Sequence, residues 1–186
     1  MKKKGIIVAL ICLVSIYSKA QARFFTKNGE ISFYSKAPVE TIEAKNRSVS
    51  CVLDTQTGAL QFLVLMKGFE FRKALMQEHF NENYVESDKF PKSDFRGEVV
   101  NNSEIDYTRP GSYPAKVKGK LTIHGETKEV EADGTIVVDG GKLKLGSVFT
   151  ILLSDYKISI PATVRDNISK TVQITISCSL DSLKTS

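Results

Sequence analysis

Only a few groups in this sequence could do chemistry. It has two histidines, His79 and His124, far apart along the chain. The best catalytic or metal-ligating candidate is the run Glu78-His79-Phe80-Asn81-Glu82. At i and i+3, His79 and Glu82 share one face of a helix. An imidazole beside a carboxylate can move a proton or hold a metal ion. Two donors are too few for a closed metal site, and no further ligand is identifiable. His124, next to Gly125, reads as a solvated turn residue on a lysine-bearing face. The Asp54-Thr55-Gln56-Thr57-Gly58 run carries one carboxylate and reads as a hairpin turn, not a calcium loop. Asn46-Arg47-Ser48 fits a glycosylation sequon. There is no G-x-S-x-G, no C-x-x-C and no glycine-rich phosphate loop. The expectation is therefore a binding protein, not an enzyme, with no cofactor and no metal.

The elements that position these groups are mostly strands. From Tyr113 to Ile123, Tyr113, Ala115, Val117, Gly119, Leu121 and Ile123 alternate with Pro114, Lys116, Lys118, Lys120 and Thr122. Such a segment has one dry and one wet face. The pattern returns at Ile31–Phe33, Val49–Leu53, Leu60–Met66, Val130–Val138, Leu143–Leu153 and Val172–Leu180. Turn residues separate the runs: Arg109-Pro110-Gly111, His124-Gly125 and Asp139-Gly140-Gly141 join the Asp54–Gly58 turn. Phe71–Glu82 breaks the rhythm. It lacks Gly and Pro, is rich in helix formers and carries Met76 and Phe80 four apart, so it predicts one short helix. About eight strands with one dry face each must bury those faces together, as a sandwich or a closed barrel. An eight-stranded barrel leaves room inside for one small ligand.

The first 22 residues read as a cleaved signal peptide: Lys2, Lys3 and Lys4, then an apolar run from Ile6 to Ile16, then Ala20-Gln21-Ala22. The apolar run is shorter than the ~20 residues a membrane span needs. Cys12 raises the alternative of a lipoprotein anchor, which the bulky Ile11 before it disfavours. Residues 23–186 then form a single domain, periplasmic or secreted. Four of the 26 Lys and Arg residues (Lys2, Lys3, Lys4, Lys19) leave with the leader, so 22 remain against 21 Asp and Glu. A nucleic-acid partner is not expected from so balanced a surface. Cys51 and Cys178 remain, both on inward positions. In an up-and-down barrel the first strand lies between theirs, about two strand spacings or ~9.6 Å, beyond the ~7 Å reach of a disulfide. They are expected to stay unpaired.

Three segments together resemble the YceI-like family: Met76-Gln77-Glu78-His79-Phe80 with Tyr84 and Ser87–Phe95, then Gly119–Val130, then Leu153-Ser154-Asp155-Tyr156-Lys157-Ile158. The resemblance covers roughly residues 60 to 180. It implies an all-β, antiparallel, eight-stranded lipocalin-like β-barrel with one short helix, exported in bacteria and binding a polyisoprenoid. Arg23–Arg47 departs from the family pattern, being shorter and more polar than the usual aromatic N-terminal hairpin. The departure implies a cavity wall with a part missing.

The leading reading is a carrier or storage protein for a long apolar lipid. Its expected lining is Phe62, Val64, Met66, Phe69, Leu75, Met76, His79, Phe80, Phe149 and Ile151. Its expected partners are a long-chain isoprenoid or similar lipid and a transient membrane contact. Two other readings stand beside it: an enzyme using His79 with Glu78 or Glu82, and an adaptor using an exposed apolar patch near Phe90 and Phe95.

Overall fold

Each alternating run becomes a strand, and the dry faces turn to a common interior. The computed structural model describes residues 23–36, 41–160 and 169–183; the expected leader and its cleavage point lie outside them. The strands are β1 (Arg23–Lys36), β2 (Thr41–Asp54), β3 (Ala59–Leu65), β4 (Glu70–Phe71), β5 (Lys92–Val99), β6 (Gly111–Ile123), β7 (Glu126–Asp139), β8 (Lys142–Leu152) and β9 (Thr171–Ser182). Neighbours run β1-β9-β8-β7-β6-β5-β3-β2, and β2 pairs back onto β1. The result is a closed antiparallel barrel of eight strands, with β4 a short strip on β2. In β6 the lysine-bearing positions face water, while Ala115, Leu121 and Ile123 are buried.

Turn chemistry sets the hairpins. His124 (φ 51°) and Gly125 (φ 76°) join β6 to β7, and Gly140 (φ 56°) and Gly141 (φ 81°) join β7 to β8. Two successive positive φ values give the turn whose twist matches the flanking strands. Between β2 and β3, the Asp54 carboxylate accepts from the Gln56 and Thr57 amides at 3.0 and 3.3 Å.

Three expectations change. Strand β5 is not visible as an alternating run, because its inward row is Ser93, Phe95, Gly97 and Val99. The Phe95 ring lies over Gly97 and its β6 partner Gly119; an added Cβ on either would stand 2.6 or 2.7 Å from Phe95 Cζ. Phe95 is buried, and Phe90 packs edge-on against His124 at 4.6 Å between ring centroids, so the exposed patch expected there does not form. Nor is wall missing at the N-terminus. Strands β1 and β2, 14 residues each, pair along nearly their whole length.

β1 lies between β2 and β9, and Cys51 and Cys178 are free, buried thiols on those outer two strands. Burial pushes both thiols up, Cys178 to about 11. Gly29 on β1 admits Cys178, because a Cβ there would stand 2.4 Å from its Sγ. The thiols therefore pack as small hydrophobes. Two thiols per chain should be counted without reductant in denatured protein lacking residues 1–22, and neither should react with an alkylating agent in the folded protein near neutral pH. Because folding raises both values, stability should fall as pH rises past the ordinary thiol value of 9.0. Equilibrium unfolding in urea across that range, with Cys51→Ala as the reference, reads the effect.

Candidate functional site

The barrel interior is too wide for its own side chains to fill. A cavity of about 360 Å³ remains, walled mainly by apolar side chains from β1 to β3 and β5 to β9, and by the segment between β3 and β5. Its polar groups are few: Ser35, Ser93, Asp94, Thr135 and Ser147, with His79 and Tyr84 from the helical segment. Ser93 donates to Met66 Sδ at 3.0 Å, and Asp94 pairs with Arg96 at 3.4 Å. The Ser35 hydroxyl is buried and has no hydrogen-bond partner among the described residues.

The segment between β3 and β5 closes one end of the barrel. A short 3₁₀ turn, Met66–Gly68, leads into β4, and helix α1 (Ala74–His79) follows. The helix is shorter than expected: Phe71 belongs to β4, and Phe80–Tyr84 continues α1 as a π-helical turn. Asn46 sets the geometry. It is fully buried, and its amide donates to Leu65 O at 2.8 Å and accepts from the Ser48 amide at 2.9 Å. At this point β2 exchanges β3 for β4 as its neighbour. A burial so complete also closes the sequon in the folded protein. Beyond it, Phe33 of β1, Phe69, Phe71 and Phe80 form one aromatic cluster with centroids 5.0 to 5.8 Å apart. Such contacts contribute about 0.5–1.5 kcal/mol each beyond the area they bury. They seat the helical segment across the mouth.

His124 is not a solvated turn residue, which corrects the expectation. Its side chain is 11% exposed. Nδ1 contacts Tyr156 O at 3.0 Å, and Nε2 contacts Glu86 Oε2 at 2.7 Å. A carbonyl only accepts, so Nδ1 carries hydrogen. Among the described residues, the three non-glycine residues with positive φ are Glu86, His124 and Lys157, and all three sit at this junction. Lys157 also contacts Glu126 at 2.7 Å and holds that carboxyl below its usual range. One imidazole thus ties the loop after α1, the β6–β7 turn and the turn after β8 to the same rim. The three resembling segments of the sequence meet here. Burial, aided by the charge of Asp155, raises the Tyr156 phenol to about 12.

Of the ten expected lining residues, Phe62, Val64, Met66, Phe69, Met76, His79, Phe80, Phe149 and Ile151 line the cavity. Leu75 does not; it is 60% exposed on the outer face of α1. Its neighbour Met76 takes the inward position, because adjacent helical residues point about 100° apart. His79 faces the cavity mouth, Glu82 is exposed, and no group of three or more His, Cys, Asp or Glu side chains gathers among the described residues. Ser35 and Tyr84 also line the cavity and were not among the expected lining, although Tyr84 stands in the first resembling segment. Ser35 lies on the inward face of β1, and its register could have marked it.

The sequence profile of the YceI-like domain matches residues 13–180. No curated protein sequence matches the chain. Among solved structures, a polyisoprenoid binding domain from Saccharophagus degradans, implicated in plant cell wall breakdown, superposes with a TM-score of 0.75 at 13% identity, over 88% of this chain and 99% of that one. BcnA of Burkholderia cenocepacia gives 0.68 at 18% identity, over 82% and 95%. The YCEI protein of Campylobacter jejuni gives 0.63 at 16% identity, over 80% and 90%.

Replacing His124 with alanine removes both rim contacts and leaves a partly buried acceptor unpaired. A loss of about 1–3 kcal/mol is expected in urea unfolding, with faster amide exchange over Glu86–Phe90 and Ser154–Ile158 than elsewhere in the barrel.

Proposed function

The chain belongs to the YceI-like family, and from that premise we propose that it holds one long apolar lipid, a polyisoprenoid or a close chemical relative, inside its barrel. The observation that carries this reading is the apolar cavity reaching from the middle of the barrel to the helix end. A well-packed core would leave no such volume. Each buried CH₂ is worth about 0.8 kcal/mol, so a ~40-carbon chain faces a penalty on the order of 30 kcal/mol in water. A carrier must hide most of that surface. The ligand's polar end sits at the mouth, where Ser35, His79 and Tyr84 offer hydrogen-bonding groups. Its chain runs inward past Met76, Phe80 and Phe149.

The expected leader supports a place outside the cytoplasm, and the family and fold support binding rather than catalysis as the role. Among the described residues, His79 and Glu82 join no group of three or more His, Cys, Asp or Glu side chains. The surface supports a transient membrane contact. Tyr34, Leu65, Leu75 and Leu152 are exposed, and all lie at or beside the helix end, where the cavity opens. Apolar groups around a mouth suit a bilayer surface from which a lipid is taken or to which it is returned.

Mass spectrometry of an organic extract of the exported protein should find one long-chain lipid per barrel. Met76→Lys should lower lipid retention while the protein stays folded, because a rim side chain can turn its charge to water. Phe149→Lys, on a barrel strand, should damage the fold. Equal lipid retention in parent and Met76→Lys would remove α1 from the site.

Leu75→Glu should slow lipid exchange with anionic phospholipid vesicles and leave the bound content unchanged. Stopped-flow transfer of a fluorescent lipid measures it, and an unchanged rate refutes the membrane contact.

A further inference from the structure

One buried hydroxyl in the cavity wall, that of Ser35, is left without a partner. Along β1 the inward row runs Ile31, Phe33, Ser35, and all three line the cavity. A strand turns every second side chain to the same face, so the serine stands where the apolar row would otherwise continue. It is 4% exposed. Its ladder partner on β2 is Ile42, another apolar lining residue. Phe33, in the same row, belongs to the aromatic cluster that seats α1. A buried hydroxyl without a partner lowers stability, and native structures satisfy nearly all such groups. Other polar side chains of the lining are engaged. Ser93 donates to Met66 Sδ, Ser147 donates to Asp133 O, and Asp94 pairs with Arg96. Thr135 is exposed and Tyr84 half-buried, so water reaches both.

The charge of the wall limits what could complete Ser35. Among the described residues, no Lys or Arg lines the cavity. The ionisable side chains in that lining are Asp94, Tyr84 and His79. Of these only the imidazole can become a cation, and His79 is exposed on α1. An anion brought to Ser35 would lose its hydration with no buried counter-charge. That costs far more than burying a neutral oxygen that gains a hydrogen bond.

We propose that Ser35 reads the polar end of the lipid: its hydroxyl bonds one uncharged terminal oxygen, an alcohol or a carbonyl, and the site rejects the same chain ending in phosphate. The inference rests on the lipid-binding reading and adds the chemical class of the head. A serine hydroxyl both donates and accepts, so it suits either oxygen. In the empty barrel the hydroxyl is unpaired, and in the loaded one the ligand completes it. The apolar wall grips the chain whatever its end, and Ser35 supplies the discrimination.

The test uses purified protein stripped of lipid and three branched probes of equal chain length: geranylgeraniol, geranylgeranyl phosphate and the hydrocarbon phytane. Displacement of the fluorescent probe N-phenylnaphthylamine gives their affinities. In the parent, the phosphate should bind at least about tenfold more weakly than the alcohol, since an unpaired buried charge costs more than one neutral hydrogen bond returns. Ser35→Ala should weaken geranylgeraniol about fivefold, the scale of one neutral hydrogen bond, and leave phytane unchanged. The melting temperature of lipid-free Ser35→Ala should be no lower than that of the parent, because the substitution removes an unpaired hydroxyl. An unchanged affinity for geranylgeraniol, an equal loss for geranylgeraniol and phytane, or a lower melting temperature in the variant overturns the assignment of Ser35. A parent that binds the phosphate as tightly as the alcohol overturns the uncharged head. A parent that binds none of the three overturns the lipid reading itself.

Discussion

Closure at β1 is the constraint on which this molecule depends. β1 pairs with β2 on one side and with β9, the last strand, on the other. Without that second pairing the sheet would keep two open edges, and its apolar face would meet water. With it, eight dry faces turn to one interior. The ring of eight strands also fixes the interior width. Side chains cover the wall but do not meet across the middle, and the cavity is the geometric remainder. The cavity here follows from the strand count and does not need any one special residue.

The two ends of the barrel differ in how they are built. Away from the helix, Gly140 and Gly141 make a tight turn, and the Asp54–Gly58 loop is held by its own carboxylate. At the helix end the chain makes longer excursions, and side chains must hold them. Asn46 anchors the exchange of β3 for β4, the Phe33–Phe69–Phe71–Phe80 cluster seats α1, and His124 joins loops from three parts of the chain. Residues with positive φ that are not glycine cost of order 1 kcal/mol or more and persist only where surroundings impose them. Their concentration at this rim means that the mouth is held in place by tertiary contacts, in contrast to the self-sufficient turns opposite.

Histidine shows how position alone misleads. His79 sits in the run most suggestive of chemistry, yet it faces a cavity mouth with no gathered acid or metal ligand among the described residues. His124 looks like a turn residue beside a glycine, yet it bonds through both nitrogens and is nearly buried. Sequence spacing finds partners within one helix or hairpin. The partners of His124 come from loops 32 and 38 residues away.

Alternation by itself determined that the strands have one wet and one dry face, because side chains on a strand point to opposite sides in strict turn. It therefore reached β6 and β9 almost to their ends, and turn residues placed the hairpins. The same reasoning put Phe62, Val64, Met66, Phe149 and Ile151 on inward positions, and on a closed barrel an inward position faces the cavity. Only the tertiary structure decided the rest. Strand β5 hides because its inward row includes serine and glycine, and the Phe95 ring covers the glycine pair only once β5 and β6 are side by side. Leu75 and Met76 are equally apolar in sequence, and the docking of α1 chooses which of them faces inward. The expected gap near the N-terminus is closed by pairing, while the β7–β8 ladder stops at Gly134↔Ser147, short of the ends of both strands. Which strands stay bonded along their full length depends on how eight twisted strands meet around a ring, and no single segment contains that information.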